Sequence, residues 1–152
     1  MQVNSRLFGA IDIEDSKIIH FVNGLVGFPQ MTDFALIHDA ESDGKKGIQW
    51  LQSMQEGNFA MPVLNPLLIL DEYNPVVEDE LLIPLGKMEA DDMLVFVTAT
   101  VPSDITKMTV NLKGPIIINV NNCKACQVIA EGEHCEVKFP IYDILKSRKG
   151  GE

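Results

Sequence analysis

A chain of 152 residues, 46% of them apolar, has the material for one packed domain and is too apolar to remain disordered. Its formal net charge of −10 argues against a direct grip on nucleic acid, which needs Lys and Arg to neutralise phosphates, and admits a basic protein as partner. No apolar run reaches the roughly 18–20 residues of a membrane span. The start "MQVNSRLFGAIDIE" has no basic segment followed by an apolar one, so a cytoplasmic protein with three reduced cysteines is expected.

In chain order, "LFGAIDIE" and "KIIHFV" read as two strands joined by a polar turn at residues 14–16. "VNGLVGF" contributes the turn dipeptide Asn23-Gly24 and then Gly27. "FALIHDA" is a strand, and "ESDGKKG" is a loop leading into the strand "IQWLQS". "NFAMPVLNPLLIL" is a strand bent at Asn65-Pro66. Pro62 and Pro66 cannot donate ladder hydrogen bonds, which predicts an edge or a bulge there. The one helix candidate lies in "NPVVEDELLIPLG", with acids early and Pro84 and Gly86 as stop signals. "DDMLVFVTATV" is apolar on both faces, as in a central buried strand. "SDITK" makes a turn. "TVNLKG", "PIIINV", "CQVIAE" and "EVKFPI" are further strands, and "YDILKSRKGGE" is a frayed helix or tail. About ten short strands at 8–12-residue spacing predict a mainly β fold: a small antiparallel barrel-like domain over residues 1–145, with one or two short helices and a basic tail at 146–152.

Enzyme motifs are missing: there is no phosphate loop, no GxSxG and no HExxH. His20 and His38 lie inside apolar strand patterns and read as packed or rim residues. Ser53 reads as a turn or capping hydroxyl. Cys123, Cys126 and Cys135 all stand in "NNCKACQVIAEGEHC". CxxC has redox spacing, but flanking strands make it a hairpin tip, with no helix N-terminus to lower a thiol pKa. A zinc site would need Cys135 or His134 to complete it, and adjacent strand residues point to opposite faces. Unremarkable thiols are the plainer reading, with a zinc- or thiol-dependent small enzyme on Cys123, Cys126 and Cys135 as the alternative.

Binding signals are stronger. Residues 71–92 hold eight carboxylates and one lysine, and "NPLLILDEY" carries apolar side chains straight into them. An apolar patch with an acidic rim suits a protein–protein contact.

Four stretches, "GLVGFPQMTDFALI", "WLQSMQEGNFAMPVLNP", "TVPSDITKMTVNLKGPIIIN" and "KACQVI", stand in an order and spacing that resembles the flagellar assembly factor FliW family, from about Phe8 to about Pro140. The resemblance implies a small β-barrel-like protein without enzymatic activity or cofactor. It implies cytoplasmic binding of flagellin and of CsrA, a small basic RNA-binding translational repressor that is inhibited non-competitively, so that flagellin level is coupled to flagellin translation. A flagellin chaperone without regulatory role is a further alternative. Two departures stand out. Leu67 and Leu68 follow Asn-Pro where an aromatic is common, and cysteines occupy a turn that is usually basic or small and polar. The expected partner surface comprises Trp50, Gln52, Asn65, Pro66, Leu67, Asp71, Glu72 and Tyr73, with Glu78, Asp79 and Glu80 as an electrostatic rim. Lys113 and Asn119 read as structural.

Overall fold

A computed structural model describes residues 1–38, 48–73, 76–132 and 135–150. The expected loop "ESDGKKG" and His134 lie outside the described residues. Among the described residues, eleven strands and one α-helix follow in the order β1 Gln2–Ser5, β2 Gly9–Asp12, β3 Ile19–Phe21, β4 Asp33–His38, β5 Gln49–Ser53, β6 Ala60–Leu64, β7 Met93–Thr100, β8 Thr109–Val110, β9 Ile116–Asn119, β10 Lys124–Gln127, β11 Phe139–Pro140 and α1 Tyr142–Gly150. Seven of the strands close on themselves in the order β7-β6-β5-β4-β3-β10-β9, with β9 returning to pair with β7. Closure removes the exposed edges that a small open sheet would leave. β8 and β11 extend one end of β7, and β1–β2 form a separate hairpin.

The barrel is mixed rather than purely antiparallel. β10 runs parallel to β3, with Lys124 opposite His20 and Ala125 opposite Phe21. The other strand pairs are antiparallel, including the β9–β10 hairpin read from "PIIINV" and "CQVI". The bend at Asn65-Pro66 is where β6 ends, and Pro66 opens a 3-10 turn over Pro66–Leu68. Pro62 sits in β6 opposite Trp50, and the β7 ladder starts only at Val63. On that side β6 is locally an edge at Pro62, as a proline requires.

Continuous apolar runs mark strands covered on both faces. Ile116 and Ile118 of β9 join Phe21, Phe34, Leu51, Val63 and Phe96 inside the barrel. Ile117, between them, points outward into a second cluster with Leu85, Cys126 and Val128. Period-2 alternation therefore produces no polar face here, because residues 76–88 lie across the outside of β9 and β10. A third cluster at one end gathers Leu64, Val97, Val110, Leu112 and Ile141, with Ile144 and Leu145 of α1 packed on it. The helix stays regular to Gly150, across the expected tail boundary at residue 146.

Two expectations need correction. The helix candidate in "NPVVEDELLIPLG" is not an α-helix but a pair of 3-10 turns, Asp79–Leu81 and Ile83–Leu85. Pro84 and Gly86 leave too few residues for a stable helix, and Gly86 takes φ +83°, a left-handed conformation that favours glycine. β7 is buried on both faces only through its middle. Phe96 and Val97 are covered, while Leu94 is 41% exposed.

The quoted motifs hold turns together. Gly24 has φ +68°, and a Cβ there would lie 2.4 Å from the carbonyl oxygen of Pro29, so the "GLVGF" turn needs glycine. Ser53 Oγ accepts from the N–H groups of Gln55 and Glu56 at 3.1 and 3.0 Å, the turn role read for it. Asn111 Oδ1 accepts from Lys113 and Gly114, both at 3.0 Å. Asn119 is buried and donates to the Leu85 carbonyl at 2.8 Å.

Candidate partner-binding groove

Asn65, Pro66, Leu67 and Tyr73 converge on one groove of about 480 Å³. Local chemistry sets the first three. Asn65 Oδ1 accepts from the Leu67 N–H at 2.9 Å and caps the 3-10 turn, while Pro66 sits at its first position with φ already suited to it. Pro66 is buried, and the rigid turn pushes Leu67 outward to 55% exposure, with Leu68 at 38%. Tyr73 forms the next part of the wall. Its hydroxyl donates to the Leu112 carbonyl, and burial, with the Cys135 thiolate as a second cause, raises its pKa well above the usual phenol value. At physiological pH it is a neutral donor that ties the acidic loop to the barrel.

The rest of the groove was not foreseen. Val77 and Leu82 supply one wall, and Met93, Leu94, Val95, Pro115 and Ile117 complete it. Leu94, expected in the core of a central strand, lines the groove instead. The available signal was its position directly after Asp91-Asp92, since a strand entered through charged residues starts at the surface. Beside the groove, Glu78, Asp79 and Glu80 are all exposed on and before the Asp79–Leu81 turn. Asp71 and Glu72 are exposed just before Tyr73.

Two expected contact residues lie elsewhere. Gln52 is fully buried: it accepts from Ser5 Oγ at 2.6 Å and donates to the Ser53 carbonyl at 2.9 Å. A side chain with its polar atoms committed inside the fold cannot contact a partner, so Gln52 is a structural residue. Trp50 is half-buried on β5, edge-on to Phe8 at 6.4 Å and 71°, and does not line the groove. In a strand, residues 50 and 52 share a face, and that face packs under the β1–β2 hairpin.

The cysteines do not converge. Cys123 is half-buried at the hairpin tip with φ +56°, its thiol 3.5 Å from the Ser16 carbonyl. Cys126 is buried 3.8 Å from the Leu81 carbonyl, and burial pushes its pKa up to about 11. Cys135 lies near Tyr73, Lys113 and Glu131, with its pKa raised mainly by burial. Elevated values oppose thiolate nucleophiles. Among the described residues, no group of three His, Cys, Asp or Glu side chains is placed to hold a metal ion. Among them too, no helix is long and apolar enough to cross a membrane.

Comparison with known proteins gives a consistent result. The family model described as FliW protein matches residues 2–141. The flagellar assembly factor FliW of Lachnoclostridium phytofermentans is 43% identical over 148 residues, covering 97% of this chain and 95% of the relative. That of Lachnospira eligens is 43% identical over 150 residues, covering 98% and 99%. A crystal structure of the flagellar assembly factor FliW superposes with a TM-score of 0.84 at 24% identity, covering 93% of this chain and 97% of that one, which establishes the shared fold. With a family match over almost its whole length and relatives this similar, the chain belongs to the FliW family of flagellar assembly factors.

Proposed function

We propose that this protein is a non-enzymatic cytoplasmic regulator that binds flagellin and a CsrA-type translational repressor, antagonising the repressor non-competitively and so coupling flagellin level to flagellin translation. Family membership makes flagellar partners the expected class. The observation that carries the reading is the juxtaposition of an apolar groove with the exposed acids Glu78, Asp79 and Glu80. Exposed leucines at the rim, Leu67 and Leu94, supply apolar anchors. The acids favour a basic partner such as the repressor and speed its encounter, an effect that weakens with salt. An apolar segment of flagellin, disordered before assembly, fits the groove itself.

The two partners are separable by substitution. Glu78→Lys, Asp79→Lys and Glu80→Lys together are expected to weaken repressor binding about tenfold or more at low salt, measured by titration calorimetry. The melting temperature should stay nearly unchanged, since all three side chains are exposed. Undiminished repressor binding at low salt would show that the acidic rim lies elsewhere. Leu67→Asp with Leu94→Asp is expected to reduce flagellin binding by about tenfold or more. Flagellin capture equal to the parent protein's would remove the groove from the reading.

A further inference from the structure

Residues 76–88 cross the outside of the barrel as a strap pinned at two places. At one end, Val76 and Glu131 exchange two backbone hydrogen bonds, 2.7 and 2.9 Å long. At the other, Asn119 and Asn122 donate their side-chain amides to the Leu85 carbonyl at 2.8 and 2.9 Å, and Asn119 also reaches the Lys87 carbonyl at 3.2 Å. Between these pins the backbone bonds are local: Leu81 to Glu78, Leu82 to Asp79, Leu85 to Leu82 and Gly86 to Ile83. Ile83 is 72% exposed and Leu81 42%. Under the middle of the strap lies the Cys126 thiol, against the Leu81 carbonyl. The same span supplies Val77 and Leu82 to the groove.

We infer that residues 77–84 form a hinged wall of the groove, bowing away from the barrel between fixed ends at Val76 and Leu85, and that a partner seated in the groove holds the wall closed. Opening separates a few side-chain contacts and leaves every barrel ladder intact, which is the signature of a segment with low local stability. Leu85, fully buried, anchors the far end while Leu81 and Ile83 move. An occupant touching Val77 and Leu82 on one side and Leu67 and Leu94 on the other binds only the closed wall, so it shifts the population toward closure. This second part rests on the groove being the partner site.

Cys126 reports the opening. In a Cys123→Asn, Cys135→Ser background it is the sole thiol, and asparagine suits the left-handed backbone at position 123. An aromatic disulfide reagent exchanges with the exposed thiolate and releases a coloured aryl thiolate. The rate in native buffer is compared with the global unfolding rate from denaturant kinetics. Modification at least ten times faster than global unfolding is expected, with Asn122→Ala raising the rate roughly 3- to 10-fold by removing one pin. Saturating monomeric flagellin, the occupant proposed for the groove, should slow modification severalfold or more. Modification only at the global unfolding rate overturns the hinge. Fast modification that bound flagellin leaves unchanged overturns the coupling to the groove and leaves the hinge standing. Flagellin that does not bind at all overturns the functional reading instead.

Discussion

Replacing Gln52 by leucine is expected to destabilise the protein by about 3 kcal/mol and to lower its melting temperature by roughly 6–12 °C. The reason is the position of its amide. Ser5 Oγ donates to Gln52 Oε1 at 2.6 Å, and the same hydroxyl accepts from the N–H groups of Leu7 and Phe8 at 3.1 and 3.0 Å. Gln52 Nε2 donates to the Ser53 carbonyl at 2.9 Å and lies within 3.3 Å of the Phe59 and Gly57 carbonyls. Leucine is close in volume but leaves the buried Ser5 O–H without its acceptor and takes the side-chain donor away from the Ser53, Gly57 and Phe59 carbonyls, of which Gly57 and Phe59 keep a backbone N–H; a buried donor that loses its acceptor costs more than the hydrogen bond itself contributes. The loss also frees the β1–β2 hairpin, whose other tie to this loop is the hydrogen bond from Arg6 N–H to the Gly57 carbonyl, 3.0 Å. Combining Gln52→Leu with Ser5→Ala should cost clearly less than the two single changes added, because both remove one network. Denaturant unfolding of the four proteins decides this: strict additivity, or a loss below about 1 kcal/mol for Gln52→Leu, would mean that the network does not hold the hairpin.

Phe34→Ala is expected to cost about 4 kcal/mol, the largest loss from any single truncation considered. Phe34 is fully buried near the start of β4 and is the junction of an aromatic chain. Phe21 meets it edge to face at 5.2 Å and 69°, and Phe59 at 6.0 Å and 64°. Phe59 continues to the exposed Phe28 at 5.1 Å. Removing the central ring opens a cavity that neighbouring strands cannot collapse into, since closure of the barrel fixes their spacing. The edge-to-face contacts add to the burial term. Phe28→Ala, at the exposed end of the same chain, should cost about 1 kcal/mol or less. Equal losses at the two positions in chemical denaturation would show that the chain, rather than the cavity, dominates. Partner binding by Phe28→Ala should be unaffected, because Phe28 does not line the groove.

The sequence by itself determined the fold class and most strand positions. Short apolar runs separated by Gly, Pro and Asn are a local signal, and Asn65-Pro66 ended β6 where such a pair must. It also pointed to four groove residues, Asn65, Pro66, Leu67 and Tyr73; for the first three the reason is local, since a capped turn led by proline leaves the leucine inside it exposed. Continuous apolar runs signalled burial on both faces but not which segment supplies the second cover. Ile117 and Cys126 are covered on the outside of the barrel by residues 76–88, a segment about thirty residues or more away in sequence. Strand period misplaced Gln52: its neighbours in sequence do not tell which face of β5 the β1–β2 hairpin covers, and that hairpin turned a polar side chain inward. The three cysteines lie within thirteen residues of chain, yet a hairpin tip, a buried strand and the region near Tyr73 give them separate surroundings. Tertiary structure decided these points because each depends on which distant segment packs against a strand face, and local sequence carries no record of that contact.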